Sequence, residues 1–249
     1  MAHVHAVMQS GQQAHPAILA RPATQPSRRP APVPGPVPGA VVPLPGAVDL
    51  LQRIGRPVQA QRATAVLETG DANTHVYKVT EGILRVVRIL PDGRRHIAHF
   101  LKPGDFFGFS EAAEHDCSVE AITDCALTRY ARKDFDAVIE SDPAAGRQLF
   151  RLMCRQLEAS NRMLLLLGRK TAIERMASFL LSFTTGTQAR GIKVFLPMSR
   201  GDIADHLGLT IETVSRTISK FRQQRWISLV DSHTILITAP ETLQELAAD

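Results

Sequence analysis

The stretch SRGDIADHLGLTIETVSRTISKF, residues 199–221, constrains this chain more than any other. Ser199 followed three residues later by Asp202 is a capping-box pattern that opens a short helix, and Leu207-Gly208 closes it. Thr210 caps a second helix over about 211–224. Within it Ile211, Val214, Ile218 and Phe221 recur at spacings of three, four and three, so they share one apolar stripe that should face a core. Beyond it ISLVDSHTILIT reads as two short strands around a polar turn. Two helices joined by a turn of about three residues and followed by a hairpin make a winged helix-turn-helix.

The opposite face of the second helix carries Glu212, Ser215, Arg216 and Ser219. An Arg there can donate two hydrogen bonds to guanine O6 and N7, a Glu can accept from a cytosine amine, and a Ser can serve a base or a phosphate. Glu212, Ser215 and Arg216 are therefore the candidate base-reading residues. Arg200, Thr210, Thr213, Ser219, Lys220 and Arg222, with Arg225 beyond them, are the candidates for contacts to the DNA backbone. An i,i+4 ion pair between Glu212 and Arg216 would not compete with this role, because it would present both polar edges in a fixed geometry. A net charge of +5 and a pI near 9.4 agree with an anionic partner.

The rest of the chain divides by texture into an α+β protein. Residues 1–46 hold ten of the sixteen prolines and no acidic residue, which predicts a disordered or polyproline-like tail, either passive or a docking ligand. Residues 47–141 read as a small all-β sandwich or barrel, with turns at Glu81-Gly82, Pro91-Asp92-Gly93 and Pro103-Gly104-Asp105. Strands are expected at about 76–80, 83–90, 94–101 and 106–109, and a short helix at about 132–141.

Residues 142–168 form one long helix, opened by Asp142-Pro143, with apolar residues at 149, 152, 153, 157, 163, 164 and 167. Such a stripe can pair with a copy of itself or pack on the β domain. Residues 169–249 form the winged helix-turn-helix domain, with a helix over about 171–183 and a polar loop at 184–191 before the short helix at Ser199.

Several functions are excluded by what the chain lacks. No nucleophile and base, phosphate loop or metal-ligand spacing points to an enzyme. No apolar run approaches the ~20 residues of a membrane span, and no signal peptide opens the chain, so a cytoplasmic protein is expected. Cys117, Cys125 and Cys154 have neither metal-like nor paired spacing, which fits a reducing compartment; they are structural or, alternatively, redox-sensitive.

The β segment with Gly82, Gly93 and Gly104-Asp105, the long helix and MSRGDIADHLGLTIETVSR together resemble the Crp/Fnr superfamily of bacterial transcription regulators. The resemblance covers about residues 60–240, and E-x-x-S-R at 212–216 with LGRKTAIERMASFLL at 167–181 is similar to its Fnr and FixK branch. It implies that residues 47–141 are a β-roll of the cyclic-nucleotide-binding, jelly-roll kind, and it implies a homodimer joined through the long helix, a twofold operator like TTGAT-N4-ATCAA and contact with RNA polymerase. It also implies that Glu212, Ser215 and Arg216 read the TTGA half-site.

The same resemblance frames the question of a sensor. Gly108-Phe109-Ser110 stands where cyclic-nucleotide receptors carry Gly-Glu-Leu, and His115-Asp116 where they carry Arg-Ser; an Asp beside a phosphate would repel it. An iron-sulfur cluster of the Fnr kind needs four thiolates, and this chain has three Cys with none in the tail. His75, His96, His99 and His115 are the histidines that could meet haem, and turn or surface roles are the expectation for them. The expected protein thus has no cofactor and follows the FixK-like pattern, an activator of microaerobic, anaerobic or nitrogen-fixation genes. The alternative is a regulator gated by a nucleotide or haem in the roll.

Overall fold

The computed structural model describes residues 51, 53–184 and 191–248. The Pro-rich segment 1–46 and most of the loop expected at 184–191 lie outside the described residues. The described residues all belong to one compact unit.

Eight strands build the roll: β1 (Arg56–Ala60), β2 (Ala65–Leu67), β3 (His75–Glu81), β4 (Leu84–Ile89), β5 (Arg95–Leu101), β6 (Phe106–Phe107), β7 (Ser118–Ala121) and β8 (Cys125–Ala131). They form two antiparallel four-stranded sheets, ordered β1-β8-β3-β6 and β2-β7-β4-β5. Leu67, Val79, Leu84, Leu101, Phe107, Val119 and Leu127 fill the space between the sheets. Alternation along a strand sends every second residue inward, as Cys125 and Leu127 of β8 go, while Tyr130 lies on the other face of the strand and joins a second cluster with Val76, Phe106 and Phe135. The tight β3–β4 turn depends on Gly82, whose φ is +85°. A Cβ there would lie 2.5 Å from the Asp124 carbonyl oxygen and 2.5 Å from Cys125 Sγ, so no other residue fits.

Helix α1 (Arg132–Ser141) follows the roll, and α2 (Pro143–Arg169) starts at once, with Asp142 accepting from the Ala144 N–H and Pro143 in the first turn. The faces of α2 divide. Leu149 and Leu152 pack against the aromatic cluster of Val76, Phe106, Tyr130 and Phe135, so these two members of the expected pairing stripe belong to the roll. Phe150, Leu157 and Leu164, seven residues apart, remain 69%, 63% and 70% exposed.

Helix α3 (Ala172–Ser182) opens with a complete capping box between Thr171 and Glu174. The winged helix then comprises β9 (Ile192–Phe195), α4 (Arg200–Leu207), α5 (Ile211–Gln223), β10 (Ile227–Leu229), β11 (Thr234–Ile237) and α6 (Pro240–Ala248). Its sheet has three strands in the order β10-β11-β9, one more than the hairpin expected from the sequence. Ile192, Val194, Val214, Ile218, Phe221, Ile235, Ile237 and Leu243 are buried together in its core.

That core does not stop at the domain edge. Ile83, Val87, Ile97, Phe100 and Ile122 of the roll belong to the same cluster as Met176, Phe179 and Leu207. Phe100 packs edge-on against Phe179 and Phe183 with ring centroids 6.0 Å away in each case, and against His206 at 5.0 Å. His206 Nδ1 lies 2.9 Å from the Ile97 carbonyl oxygen across the same boundary. Burial pushes the His206 pKa from 6.5 down to about 4.

In the unfolded chain His206 titrates near its ordinary value, so on acidification the unfolded state takes up the proton first. Its contribution is whole above pH 6.5 and disappears as pH falls towards 4, a total of about 3 kcal/mol. Burial pushes His99 in the same direction. Thermal melting of the wild type should therefore fall across this window, and His206→Gln should lose the larger part of that slope. An unchanged slope in the variant would assign the acid sensitivity to other groups.

Candidate nucleic-acid interface

The geometry of α5 begins with its cap. Thr210 Oγ1 accepts from the Thr213 N–H at 3.2 Å and lies 3.1 Å from the Thr213 hydroxyl. Gly208, at φ 61°, ends α4 in the left-handed region, and the backbone turns into α5 within three residues. Ser199 and Asp202 form the reciprocal capping box that starts α4.

Val214, Thr217, Ile218 and Phe221 are buried beneath α5. Ile211, assigned to the same face by its spacing, is 52% exposed. It occupies the first turn, where the helix has run past the core, and its side chain reaches only the edge of α4, near Gly201. On the other side Glu212, Ser215, Arg216, Ser219, Lys220 and Arg222 are all exposed. One free polar and basic face is thus held rigidly by one buried apolar face.

Electrostatics of this face are set locally. The Glu212 carboxyl is held below the usual range, first by its own backbone N–H and the Thr210 hydroxyl, and further by the nearby Arg216 charge. Glu212 and Arg216 form no ion pair among the described residues. Arg200, in the first turn of α4, is half-buried with Nη1 lacking a hydrogen-bond partner. Burial and the neighbouring Arg222 charge both lower its pKa, so two guanidinium groups crowd one patch of surface. Thr213 is half-buried and engaged with Thr210, whereas Thr210 and Arg225 are exposed.

The roll offers a polar cleft of about 220 Å³ lined by Val66, Leu67, Asp71, Ala72, Thr74, His75, Tyr77 and His115. His115 is buried there, against the expectation of a surface or turn histidine, because its backbone N–H and carbonyl bond to Asp71 and Gly70 and draw the ring inward. Asp116 points away to an ion pair with Arg88 at 2.9 Å. His75 Nδ1 lies 2.9 Å from the Thr74 hydroxyl, and His96 Nδ1 lies 3.2 Å from the Asp205 carbonyl oxygen. Burial pushes the Cys117 and Cys125 thiols up, which keeps them protonated and poor nucleophiles. Cys154 is half-buried on α2.

Sequence reasoning did not single out Arg85, Arg95, Asp205 or His206, and it treated Asp202 only as a cap. Arg85 Nη1 and Arg95 Nη2 each donate to Asp202 Oδ1 at 2.8 Å, and Arg95 Nε donates to Asp205 Oδ2 at 2.8 Å. These pairs join residues more than a hundred positions apart, and no local pattern announces them.

A winged helix with an exposed polar and basic face on its second helix, attached to a β-roll, defines a DNA-binding transcription regulator. Residues 174–246 match the Crp-like helix-turn-helix domain, and residues 57–142 match the cyclic nucleotide-binding domain. The chain is 39% identical over 192 residues to the nitrogen fixation regulation protein FixK of Rhizobium meliloti, covering 77% of this chain and 83% of that one. It is 34% identical over 200 residues to the transcriptional activatory protein AadR of Rhodopseudomonas palustris, covering 79% and 83%. Among solved structures, FixK2 from Bradyrhizobium japonicum aligns with a TM-score of 0.73 at 32% identity, covering 79% of this chain and 98% of that one. The chain belongs to the Crp/Fnr family of transcription regulators and is related to FixK. It is a transcription factor and not an enzyme. No helix among the described residues is long and apolar enough to cross a membrane.

Proposed function

We propose that this regulator binds a TTGAT-N4-ATCAA-like palindrome as a homodimer and activates genes of microaerobic or anaerobic respiration or nitrogen fixation, without a small-molecule ligand. The observation that carries the reading is the α5 face, on which Glu212, Ser215 and Arg216 stand free above buried Val214, Ile218 and Phe221. Such a helix can enter a major groove, with Arg216 donating to guanine and Glu212 accepting from cytosine. Arg200 and Arg222 crowd together, and a DNA phosphate between them would relieve their repulsion and satisfy the Arg200 guanidinium. Thr210, Thr213, Ser219 and Lys220 complete the backbone contacts in this reading. The exposed Phe150, Leu157 and Leu164 edge of α2 supports pairing with a second copy, which sets two α5 helices on one operator. RNA polymerase is the further partner that activation requires.

Binding of the purified chain, with no ligand added, to a labelled TTGAT-N4-ATCAA duplex and to a scrambled duplex at one salt concentration tests this reading. Selective binding supports it. Binding only after a nucleotide or haem is added supports the gated alternative, which the cleft beside His75 and His115 favours.

On the operator, Arg216→Ala should cost ~1–3 kcal/mol and relax the preference for its guanine. Arg225→Ala should weaken matched and scrambled duplexes about equally. Equal losses on both duplexes for Arg216→Ala would move that residue out of base readout.

A further inference from the structure

The roll and the winged helix are joined covalently only through Lys170 and Thr171, between the end of α2 and the start of α3. Arg175 fastens this joint by donating to the carbonyl oxygens of Lys170, Leu167 and Leu207 at 2.9, 2.8 and 2.8 Å. Away from the joint the two parts also share the apolar core of Phe100 with Phe179 and Phe183, which is non-directional and tolerates small rotations. The directional attachment lies on α4. Arg85 of β4 and Arg95 of β5 converge on the Asp202 carboxylate, which is 4% exposed, and Arg95 also holds Asp205 at 2.7 Å. Arg85 is itself oriented by Glu120 of β7 at 2.6 Å. The other Asp202 oxygen accepts from the Ser199 N–H, so the carboxylate that starts α4 is also the one the roll grips.

Helix α4 packs directly on α5, so what holds α4 to the roll also holds the reading helix. In this clamped arrangement the Glu212, Ser215 and Arg216 face stays open, so the clamp holds a pose in which the reading face is available.

We infer that Arg85 and Arg95 are positioning residues for palindrome recognition, fixing the winged helix against its own roll so that two reading helices are presented at one separation without a ligand. The inference rests on the palindromic operator proposed above. A single half-site needs only one α5 and is indifferent to the clamp, whereas a palindrome requires two at a fixed distance and orientation. When the clamp is released, only the fraction of molecules in the right pose can engage both half-sites, and apparent affinity falls by that fraction.

The test uses the full chain as wild type, Arg95→Gln, the double variant Arg85→Gln with Arg95→Gln, and the double variant with Lys at both positions. Each is titrated with the TTGAT-N4-ATCAA duplex, with duplexes whose spacer is shortened or lengthened by two base pairs, and with a duplex carrying one half-site. The double Gln variant should bind the palindrome about tenfold more weakly. It should also lose most of its preference among spacers and bind the half-site like wild type, while Lys at both positions restores part of the preference. Equal losses on palindrome and half-site, or no loss on either, overturn the positioning role.

Hydrogen exchange of the same proteins without DNA gives an independent reading. Exchange in α4 and β5 should rise in the double Gln variant while β8 keeps its protection, and unchanged exchange overturns the clamp whatever the operator is. Failure of wild type to distinguish palindrome from scrambled duplex, with the exchange difference present, would fault the operator reading and leave the clamp standing.

Discussion

Phe221→Ala is expected to destabilise the winged helix by ~3–5 kcal/mol, because it empties a fully buried ring site. The Phe221 ring packs 5.3 Å from Trp226 and beneath the helix that carries Glu212, Ser215 and Arg216. Its loss removes the support of α5 and leaves the inter-sheet core of the roll, built on Leu84, Val79 and Leu127, untouched. Melting followed by circular dichroism should show an early transition for the winged helix, and operator binding should disappear above it. A single transition lowered as a whole would mean that the shared core through Phe100 and Phe179 couples the two parts into one folding unit.

Leu157→Glu on α2 is expected to break the proposed homodimer. Leu157 lies midway along the exposed line of Phe150, Leu157 and Leu164, and in that dimer a charge there would face its counterpart on the second copy. Sedimentation should show a monomer. Affinity for the palindrome should fall by about a hundredfold or more, since the second half-site ceases to be an intramolecular event. Melting should fall to that of the dissociated chain and lose its dependence on protein concentration, because Leu157 is exposed in its own chain and only the contact with the second copy is removed. A Leu157→Glu protein that remains dimeric would place the partner surface elsewhere.

What could be read from the residues alone was local. Ser199 with Asp202, Thr210 ahead of Thr213 and Asp142 before Pro143 mark helix starts through hydrogen bonds that span at most three residues. The positions of β3, β4 and β5 follow from turn residues and alternation within ten positions. The strands that escaped notice, β1, β2, β7, β8 and β9, are defined by pairing with partners distant in the chain, β8 with β1 and β3, β7 with β2 and β4, and β9 with β11. Ile211 had the right spacing for the core but sits beyond its end, and Leu149 and Leu152 had the spacing for a dimer seam but meet Phe135 and Tyr130.

The sequence by itself determined the winged helix-turn-helix, a turn-punctuated all-β domain and the polar face of α5, because capping, periodicity and turn chemistry act between neighbours in the chain. Only the tertiary structure decided that Arg85 and Arg95 grip Asp202 and Asp205, that His206 is buried against Ile97 and Phe100, and which edge of α2 remains open. Those outcomes depend on two surfaces, remote in sequence, meeting at one orientation, and an arginine looks the same in the chain whether it ends in water or on a buried carboxylate.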